Sequence, residues 1–333
     1  MGTAKDRKKE LNWAVLGTGG IAGEMAKSLK AAGRQFYGVW NRTRKRAEDF
    51  AAAYGAERVY SKPEEVFEDP KVDAVYIAVL HDVHFPLIME ALEHGKHVLA
   101  EKPITLNSRQ LKEAEKLAGE KGLILAEAMT IWHMPLYKEL WKRLDQGEFG
   151  KAQIITANFG SFREYDMTSR FFSMDLSGGA LLDIGVYAIS AARTFMGGSP
   201  SGVKSHMRRA ASGVDEQSVI LMWNPEGQMA SISLSLHSKQ PKRVMISCEK
   251  AYIEIMDYPR GTKAVITDAQ TGEKQEIEAG DEKTALFYEI QDMEEAVRNG
   301  DAGLMRLSWS HDVMQIMTDL RKEWKLLYPG EVW

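Results

Sequence analysis

Apolar and polar residues follow two rhythms along this chain, and the rhythm changes near residue 130. Up to residue 128, short β-branched runs fall at 12–16, 36–41, 58–60, 74–79, 97–101 and 124–127. Between them, at 24–32, 43–54, 85–93 and 108–120, apolar residues recur every three or four positions. Runs that are apolar throughout suit strands covered on both faces, and their separation by helical patterns predicts βαβ units in a parallel sheet. Gly33, Gly55, Gly95 and Gly122 fall just past the helical segments, where a left-handed residue closes a helix. Beyond residue 150 the strands lengthen and alternate, at 152–162, 203–209, 218–223, 229–237, 244–247, 252–256 and 264–267, with helical patterns at 135–144, 180–195, 286–298 and 308–326. The expected fold class is α/β: an N-terminal Rossmann, doubly wound parallel sheet, then an α+β domain with a large open, mostly antiparallel sheet. The boundary falls between residues 1–128 and 129–333.

Composition narrows the class. At 333 residues the chain exceeds what one core usually fills, about 250–300 residues, which agrees with two domains. Apolar residues at 44% and charged residues at 27% are those of a globular chain, so disorder and fibrous classes are excluded. The net charge of -4 and the shortness of the basic run Arg7, Lys8 and Lys9 argue against a nucleic-acid partner. No window reaches the roughly 18 apolar residues that span a bilayer, and the charged first ten residues lack the apolar stretch of a secretory signal. Gly2 lacks the Ser or Thr at the sixth position that myristoylation requires, since that residue is Asp6. Cys248 is the only cysteine, so neither an intrachain disulfide nor a cysteine-based zinc cluster can form. A cytoplasmic chain with no membrane, nucleic-acid or metal partner is expected.

The first motif with chemical content is Gly17-Thr18-Gly19-Gly20-Ile21-Ala22, directly after the first strand pattern. Gly17 allows a tight turn, Gly19 lets backbone approach a pyrophosphate, and Ala22 lets helix pack closely on strand. The following helix start, at Gly20 and Ile21, presents free N–H groups to phosphates. A glycine-rich surface turn is the bland alternative, but the strand–turn–helix setting at the head of a doubly wound pattern favours a dinucleotide. Cofactor choice is read about 20 residues on, where a carboxylate would take the ribose 2′-hydroxyl and an arginine a 2′-phosphate. Here the run is Asn41-Arg42-Thr43-Arg44-Lys45-Arg46, with no carboxylate. Arg42 suits a phosphate fork and Asn41 a hydrogen bond, so NADP is preferred over NAD; Arg44, Lys45 and Arg46 also read as a solvated helix face.

The fifth strand pattern runs into Glu101-Lys102-Pro103 at its carboxyl end, where open α/β sheets bind ligands. With Gly17–Ala22, the 73–78 strand followed by His81 and His84, and Gly178-Gly179-Ala180-Leu181-Leu182-Asp183-Ile184-Gly185-Val186-Tyr187, this motif makes the chain resemble the glucose–fructose oxidoreductase/inositol dehydrogenase/rhizopine-catabolism (Gfo/Idh/MocA) family over nearly its whole length. Tyrosine at 187 and the closing Tyr328-Pro329-Gly330-Glu331 resemble the dihydrodiol/xylose dehydrogenase-like branch. The resemblance implies a second-domain sheet that mediates homodimers or homotetramers, and a site in which Lys102, Asp183 and Tyr187 surround the nicotinamide. It also implies that Glu101 positions the nicotinamide ribose and that His81 and His84 line the cofactor. Leu80 departs from the family's usual proline.

Hydride chemistry agrees with these assignments. Reducing a carbonyl needs a proton donor at the forming alkoxide, and the reverse needs the same group as base. Free tyrosine titrates near 10 and free lysine near 10.4, so a lysine cation beside Tyr187 is expected to lower the phenol. Asp183, four residues before Tyr187, shares its helical face and could orient Lys102 or bind a substrate hydroxyl. The cluster His81-Asp82-Val83-His84 reads as a cofactor-lining loop rather than a metal site. Trp132, His133, Phe162 and Arg163 are pocket candidates by position only. The expected function is an NAD(P)-dependent oxidoreductase of a sugar, polyol or vicinal diol, with Lys102 and Tyr187 as acid and base. The alternatives are redox-assisted glycoside hydrolysis with a retained NAD, and a non-catalytic dinucleotide sensor or repressor.

Overall fold

The computed structural model describes residues 10–333; Gly2, Asp6 and the basic run Arg7, Lys8 and Lys9 lie outside the described residues. In the first half, strands β1 (Trp13–Leu16), β2 (Gly38–Trp40), β3 (Arg58–Val59), β4 (Ala74–Ile77), β5 (His97–Glu101) and β6 (Leu125–Ala128) form a parallel sheet of order β3-β2-β1-β4-β5-β6. Helices α1 (Gly20–Ala31), α2 (Arg44–Tyr54), α3 (Pro63–Glu68), α4 (His81–Glu93) and α5 (Ser108–Lys121) connect the strands. Every residue of β1, β4 and β6 is buried, as the unbroken apolar runs predict for a sheet covered on both faces.

Two helices differ from expectation for physical reasons. The short α3 buries only Val66 and Phe67, too few to show a helical period. The pattern places the start of α4 at residue 85, because Pro86 normally belongs to a first turn, yet α4 begins at His81 and carries Pro86 inside it. The site histidine His81 therefore opens a helix.

In the second half, α6 (Pro135–Asp145) leads into an eight-stranded sheet of order β14-β13-β12-β11-β7-β10-β9-β8. Its strands are β7 (Ala152–Gly160), β8 (Gly202–Arg209), β9 (Asp215–Trp223), β10 (Met229–Ser235), β11 (Gln240–Cys248), β12 (Ala251–Met256), β13 (Lys263–Asp268) and β14 (Lys274–Glu278). Only β7 and β10 pair in parallel. The sequence pattern misses β14 because Lys-Gln-Glu-Ile-Glu has one apolar residue, a composition that protects an edge strand from further pairing. Helix α7 (Val186–Phe195) packs on β7, β10 and β11. The opposite face is open: on β9, Ile220 and Met222 are buried while Val219 and Leu221 are 55% and 50% exposed.

The last two helices, α8 (Ala285–Asn299) and α9 (Leu307–Glu323), return to the first domain. Leu286, Ile290 and Met293 of α8 share one apolar cluster with Trp13, Val15, Met25 and Leu29. Glu294 accepts from the Trp13 indole at 3.0 Å and pairs with Arg34 at 2.7 Å. From α9, Arg321 forms a two-pronged pair with Glu331, both contacts 2.7 Å and both side chains fully buried, and also donates to the Leu106 carbonyl. Glu331 further accepts from Asn107, the N-cap of α5, at 2.9 Å, and Tyr328 donates to the Gly178 carbonyl at 2.5 Å. The tail thereby holds α5, α9 and the glycine loop together. Removing one partner of such a pair leaves an uncompensated buried charge. Glu331→Gln is expected to lower the free energy of unfolding by about 3–5 kcal/mol in guanidinium titration; a loss below about 1 kcal/mol would show that the pair contributes no net stability.

Candidate active site

The site is assembled where the carboxyl ends of β1, β2, β4 and β5 meet α7. At the end of β1 the chain turns through Gly17, whose φ of +103° and whose position against the Ala78 carbonyl admit no Cβ. Gly17 N–H donates to the Trp40 carbonyl at 2.8 Å, tying the turn to β2. At Gly19 and Gly20 a Cβ would meet nothing within 4 Å. These two glycines face a cavity rather than protein, and Gly19 caps α1 without a side-chain bond, leaving first-turn N–H groups for an anion.

That cavity, about 800 Å³, runs from Trp40, Asn41, Arg42 and Arg46 across Gly17–Ile21 to His81, Glu101, Lys102, Arg170, Tyr187 and Arg260. Its two lining carboxylates, Glu24 and Glu101, belong to α1 and β5, so the end of β2 presents only Asn41 and cations. Arg44 pairs with Glu48 at 3.0 Å and Lys45 with Asp49 at 2.7 Å on the outer face of α2, whereas Arg46 lines the cavity with Arg42. The glycine-floored cavity with a cationic end fits a dinucleotide.

At the other end, Lys102 follows β5 and reaches across to the second domain. Its Nζ donates to the Asp183 carbonyl at 2.7 Å, lies 3.5 Å from Asp183 Oδ1, and sits 4.7 Å from the centre of the Tyr187 ring. The segment Leu181–Gly185 is a π-helical turn, not the continuous α-helix the pattern predicts, and α7 starts only at Val186. Such widened turns re-aim backbone carbonyls, and here one is presented to a lysine. Two tight glycines set the turn's start: a Cβ on Gly178 would lie 2.8 Å from the Phe171 carbonyl, and Gly179, at φ +118°, abuts the Asp215 carboxylate. Asp215 accepts from Leu181 N–H at 2.7 Å, and burial pushes its carboxyl up to about 7.

Charge sorts the site into distinct states. Burial alone would raise Asp183, but Lys102, then Arg170 at 3.8 Å, hold it below the usual carboxylate range. Burial pushes His81 down to about 3, with His84 and Lys102 adding to the shift, so its ring is neutral. Burial raises Glu101 even though it accepts from the Tyr76 hydroxyl and Lys102 N–H. Tyr187 departs from expectation. Burial, then the nearby Glu101, raise its phenol well above 10, and Lys102 lies over its ring face rather than at its oxygen. No described residue hydrogen-bonds the Tyr187 hydroxyl, which is left to the cavity.

Comparison with known proteins agrees with this geometry. Residues 11–129 match the oxidoreductase family with an NAD-binding Rossmann fold, and residues 137–254 match the C-terminal domain of the same family. The chain belongs to the Gfo/Idh/MocA oxidoreductase family. Curated relatives include trans-1,2-dihydrobenzene-1,2-diol dehydrogenase of Xenopus laevis, 28% identical over 95% of this chain and 99% of its own length. Another is the NADP-dependent scyllo-inositol 2-dehydrogenase of Bacillus subtilis, 29% identical over 96% and 99%. A solved 3-ketoreductase from Actinomadura kijaniata, bound to NADP and TDP-benzene, superposes with a TM-score of 0.83 at 25% identity, covering 94% of this chain and 98% of that one. Oxidoreductase chemistry on an NAD(P)-binding Rossmann fold is thus the family's, and this chain's.

Of the residues expected at the site, Gly17, Gly19, Gly20, Ile21, Asn41, Arg42, His81, Glu101, Lys102 and Tyr187 line one cavity, and Asp183 joins it through Lys102. His84 does not. It is fully buried, with its ring nitrogens 3.1 Å from the Pro103 carbonyl and 3.3 Å from the Val79 carbonyl, so it braces the Lys102 loop against the end of β4 and does not line the cavity. Trp132 and His133 are likewise core, bonded to Thr194 at 3.1 Å and Asp292 at 2.7 Å. Sequence reasoning misses Arg170 and Arg260. Arg260 follows β12 and pairs with Glu24 of α1 at 2.6 Å, closing the cavity from the far side; no local pattern marks it, because its partner lies 236 residues away.

Proposed function

We propose that this chain is an NADP-dependent dehydrogenase or reductase acting on the hydroxyl or carbonyl carbon of a sugar, polyol or vicinal diol, with Lys102 and Tyr187 as the acid–base pair. The observation that carries this reading is the unpartnered Tyr187 hydroxyl, held in the cavity beside a lysine cation that Asp183 fixes in place. Bound along the glycine turn, a nicotinamide dinucleotide supplies the hydride acceptor or donor. The chain supplies the proton: in reduction, a donor at the forming alkoxide, and in oxidation, an acceptor for the alcohol proton as the C–H bond gives up its electron pair. With its phenol raised, Tyr187 stays protonated through neutral pH and suits the donor role, while the Lys102 charge stabilises developing negative charge on oxygen. Asp183 bears a charge that balances Lys102 and an oxygen for a substrate hydroxyl. The named activities of the relatives, on a diol and an inositol, support the substrate class. The NADP named for the Bacillus enzyme and the ketoreductase, with Arg42 and Arg46 at the end of β2, supports the cofactor. A sensor without catalysis would not need a free hydroxyl at this point.

The open face of the second sheet supports a homo-oligomer. Ile154, Val219, Leu221 and Met229, from three neighbouring strands, are 44–55% exposed there. Burying such a patch against its own copy removes apolar area from water in a self-complementary, two-fold manner. A reducing, cytoplasmic setting fits the single free Cys248.

Three measurements test this reading. Tyr187→Phe should lower turnover about 10²–10⁴-fold with cofactor affinity retained; an unchanged rate would transfer the proton to Lys102. Arg42→Ala should raise the Michaelis constant for NADPH about tenfold or more and leave that for NADH nearly constant, since a phosphate–arginine contact contributes on the order of 1.5–3 kcal/mol. Equal effects on both cofactors would sink the NADP preference. Light scattering should give the mass of a dimer or tetramer, reduced to that of the monomer by Leu221→Glu; a wild-type chain that is already monomeric at micromolar concentration contradicts the sheet interface.

A further inference from the structure

Beside the proton-transfer residues stands a second group of side chains that hydride transfer does not use. Arg163 and Arg170 both rest on Phe171, their guanidinium carbons 4.1 and 4.3 Å from the ring centroid. Lys242 lies 5.2 Å above Phe159, whose own ring is 6.1 Å from that of Tyr187. Three cations are thus held on two aromatic faces, one carrying Arg170, which lines the cavity, and the other packed beside Tyr187, which also lines it.

Their charges are poorly balanced. Among the described residues neither Arg163 nor Lys242 makes an ion pair, and the Arg163 Nε is buried without a hydrogen-bond partner. Arg170 has one carboxylate, Asp183 at 3.8 Å, and Lys102 holds that same oxygen more closely at 3.5 Å. The neighbouring Asp166 turns its carboxylate onto Thr168 N–H and hydroxyl, at 2.8 and 2.7 Å. Arg260, by contrast, is neutralised by Glu24 at 2.6 Å. Lys102 and Arg170 therefore share the carboxylate of Asp183, with Arg163 acting on it from further off, while Lys242 has no carboxylate partner among the described residues. Stacking on aromatic rings orients a guanidinium while leaving its N–H fork free, an arrangement suited to an oxyanion. Next to Arg163, whose backbone N–H donates to the Leu236 carbonyl at 2.8 Å, His237 stacks on Tyr165 with centroids 4.5 Å apart and on the 62% exposed Phe162 at 6.4 Å, a flat aromatic surface on which the remainder of a ligand can lie.

We infer that the substrate is an anionic sugar, carrying a carboxylate or a phosphate that sits on Arg163, Arg170 and Lys242 while its reacting carbon faces Lys102 and Tyr187. This inference deepens the proposed oxidoreductase function and rests on it. Neutral diols and inositols would leave those cations unmatched, and a charge-assisted contact to each adds affinity that depends on ionic strength.

The test compares D-glucuronate, glucose 1-phosphate and UDP-glucose with D-glucose and myo-inositol, using the full chain with NADP and with NAD. At least one anionic probe should exceed the neutral ones about tenfold or more in kcat/KM, with an advantage that shrinks as salt rises. In the Arg163→Gln/Lys242→Gln variant that advantage should fall about tenfold, expressed in KM rather than kcat. Equal use of neutral and anionic probes, or an advantage unaffected by salt and by the double substitution, would overturn the inference while leaving the oxidoreductase function intact. Calorimetric titration of the same probes into the NADPH-loaded chain reads binding without turnover. Preferential binding of an anion, lost in the double variant, upholds the anion site even where no probe reacts, an outcome that would instead refute the sugar oxidoreductase reading; indifference to charge overturns the site. Which anion gains most separates a sugar acid from a sugar phosphate or nucleotide sugar.

Discussion

The site depends on one contact between domains, the ammonium of Lys102 held by Asp183. Lys102 is carried by the Rossmann sheet and Asp183 by a π-helical turn of the second domain, and the lysine takes both the carbonyl and the carboxylate of that residue. A long, flexible side chain would otherwise sample many rotamers, at an entropic cost of up to about 1.5–2 kcal/mol when it is fixed. Anchoring it at two oxygens settles that cost before substrate arrives and leaves the cation over the Tyr187 ring. Much of the surrounding architecture serves this contact. His84 braces the loop that bears Lys102, Asp215 caps the turn that bears Asp183, and Tyr328 ties the chain end to the glycine loop ahead of it.

Electrostatics then separates groups that are chemically alike. Asp183 and Glu101 are both buried carboxyls near one lysine, yet Asp183 is lowered and Glu101 raised. Asp183 faces Lys102 and Arg170 together, while for Glu101, turned toward Tyr76, burial outweighs Lys102 and Arg260. Further in, burial raises Glu127 to about 7 and Glu289 well above its ordinary value. Burial and the neighbouring Glu101 keep the Tyr187 phenol protonated, in a site whose histidine, His81, is neutral. Environment, rather than residue type, assigns the roles.

Much of this could be read from the sequence, and the failures share a cause. The parallel sheet, the glycine turn and the Arg42 and Lys102 positions are legible because each is written in a short stretch, an apolar run, a glycine spacing or a strand-end motif, whereas Asp183 and Tyr187 come from the family resemblance of the run 178–187. What was not legible arises from contacts distant in sequence. Arg260 reaches the site only through the pairing of Glu24 across 236 residues. His84 resembles a cofactor ligand by position, but its orientation is set by the carbonyls of Val79 and Pro103. A lysine near a tyrosine predicts a lowered phenol, whereas burial and Glu101 outweigh a cation that lies on the ring face, away from the hydroxyl. The π-helical turn was hidden because its apolar pattern is that of an α-helix.

The same long-range logic explains why the two sheets, one before and one after residue 129, do not have two independent cores. Helix α8 belongs to the second half in sequence and to the first in packing, since Ile290 and Met293 sit among Trp13, Val15 and Leu29, and Glu294 holds both Trp13 and Arg34. Helix α9 and the tail close the opposite side through Arg321, Glu331 and Asn107. The Rossmann sheet is thereby clasped at two places by chain that comes after the second sheet. Free hinging of the domains about residue 129 would have to break a buried ion pair and expose an apolar cluster. Either step costs more than a mobile interface allows. On the side of the cavity the two halves are joined more lightly, by Lys102 with Asp183 and by Glu24 with Arg260, both pairs reaching across its lining.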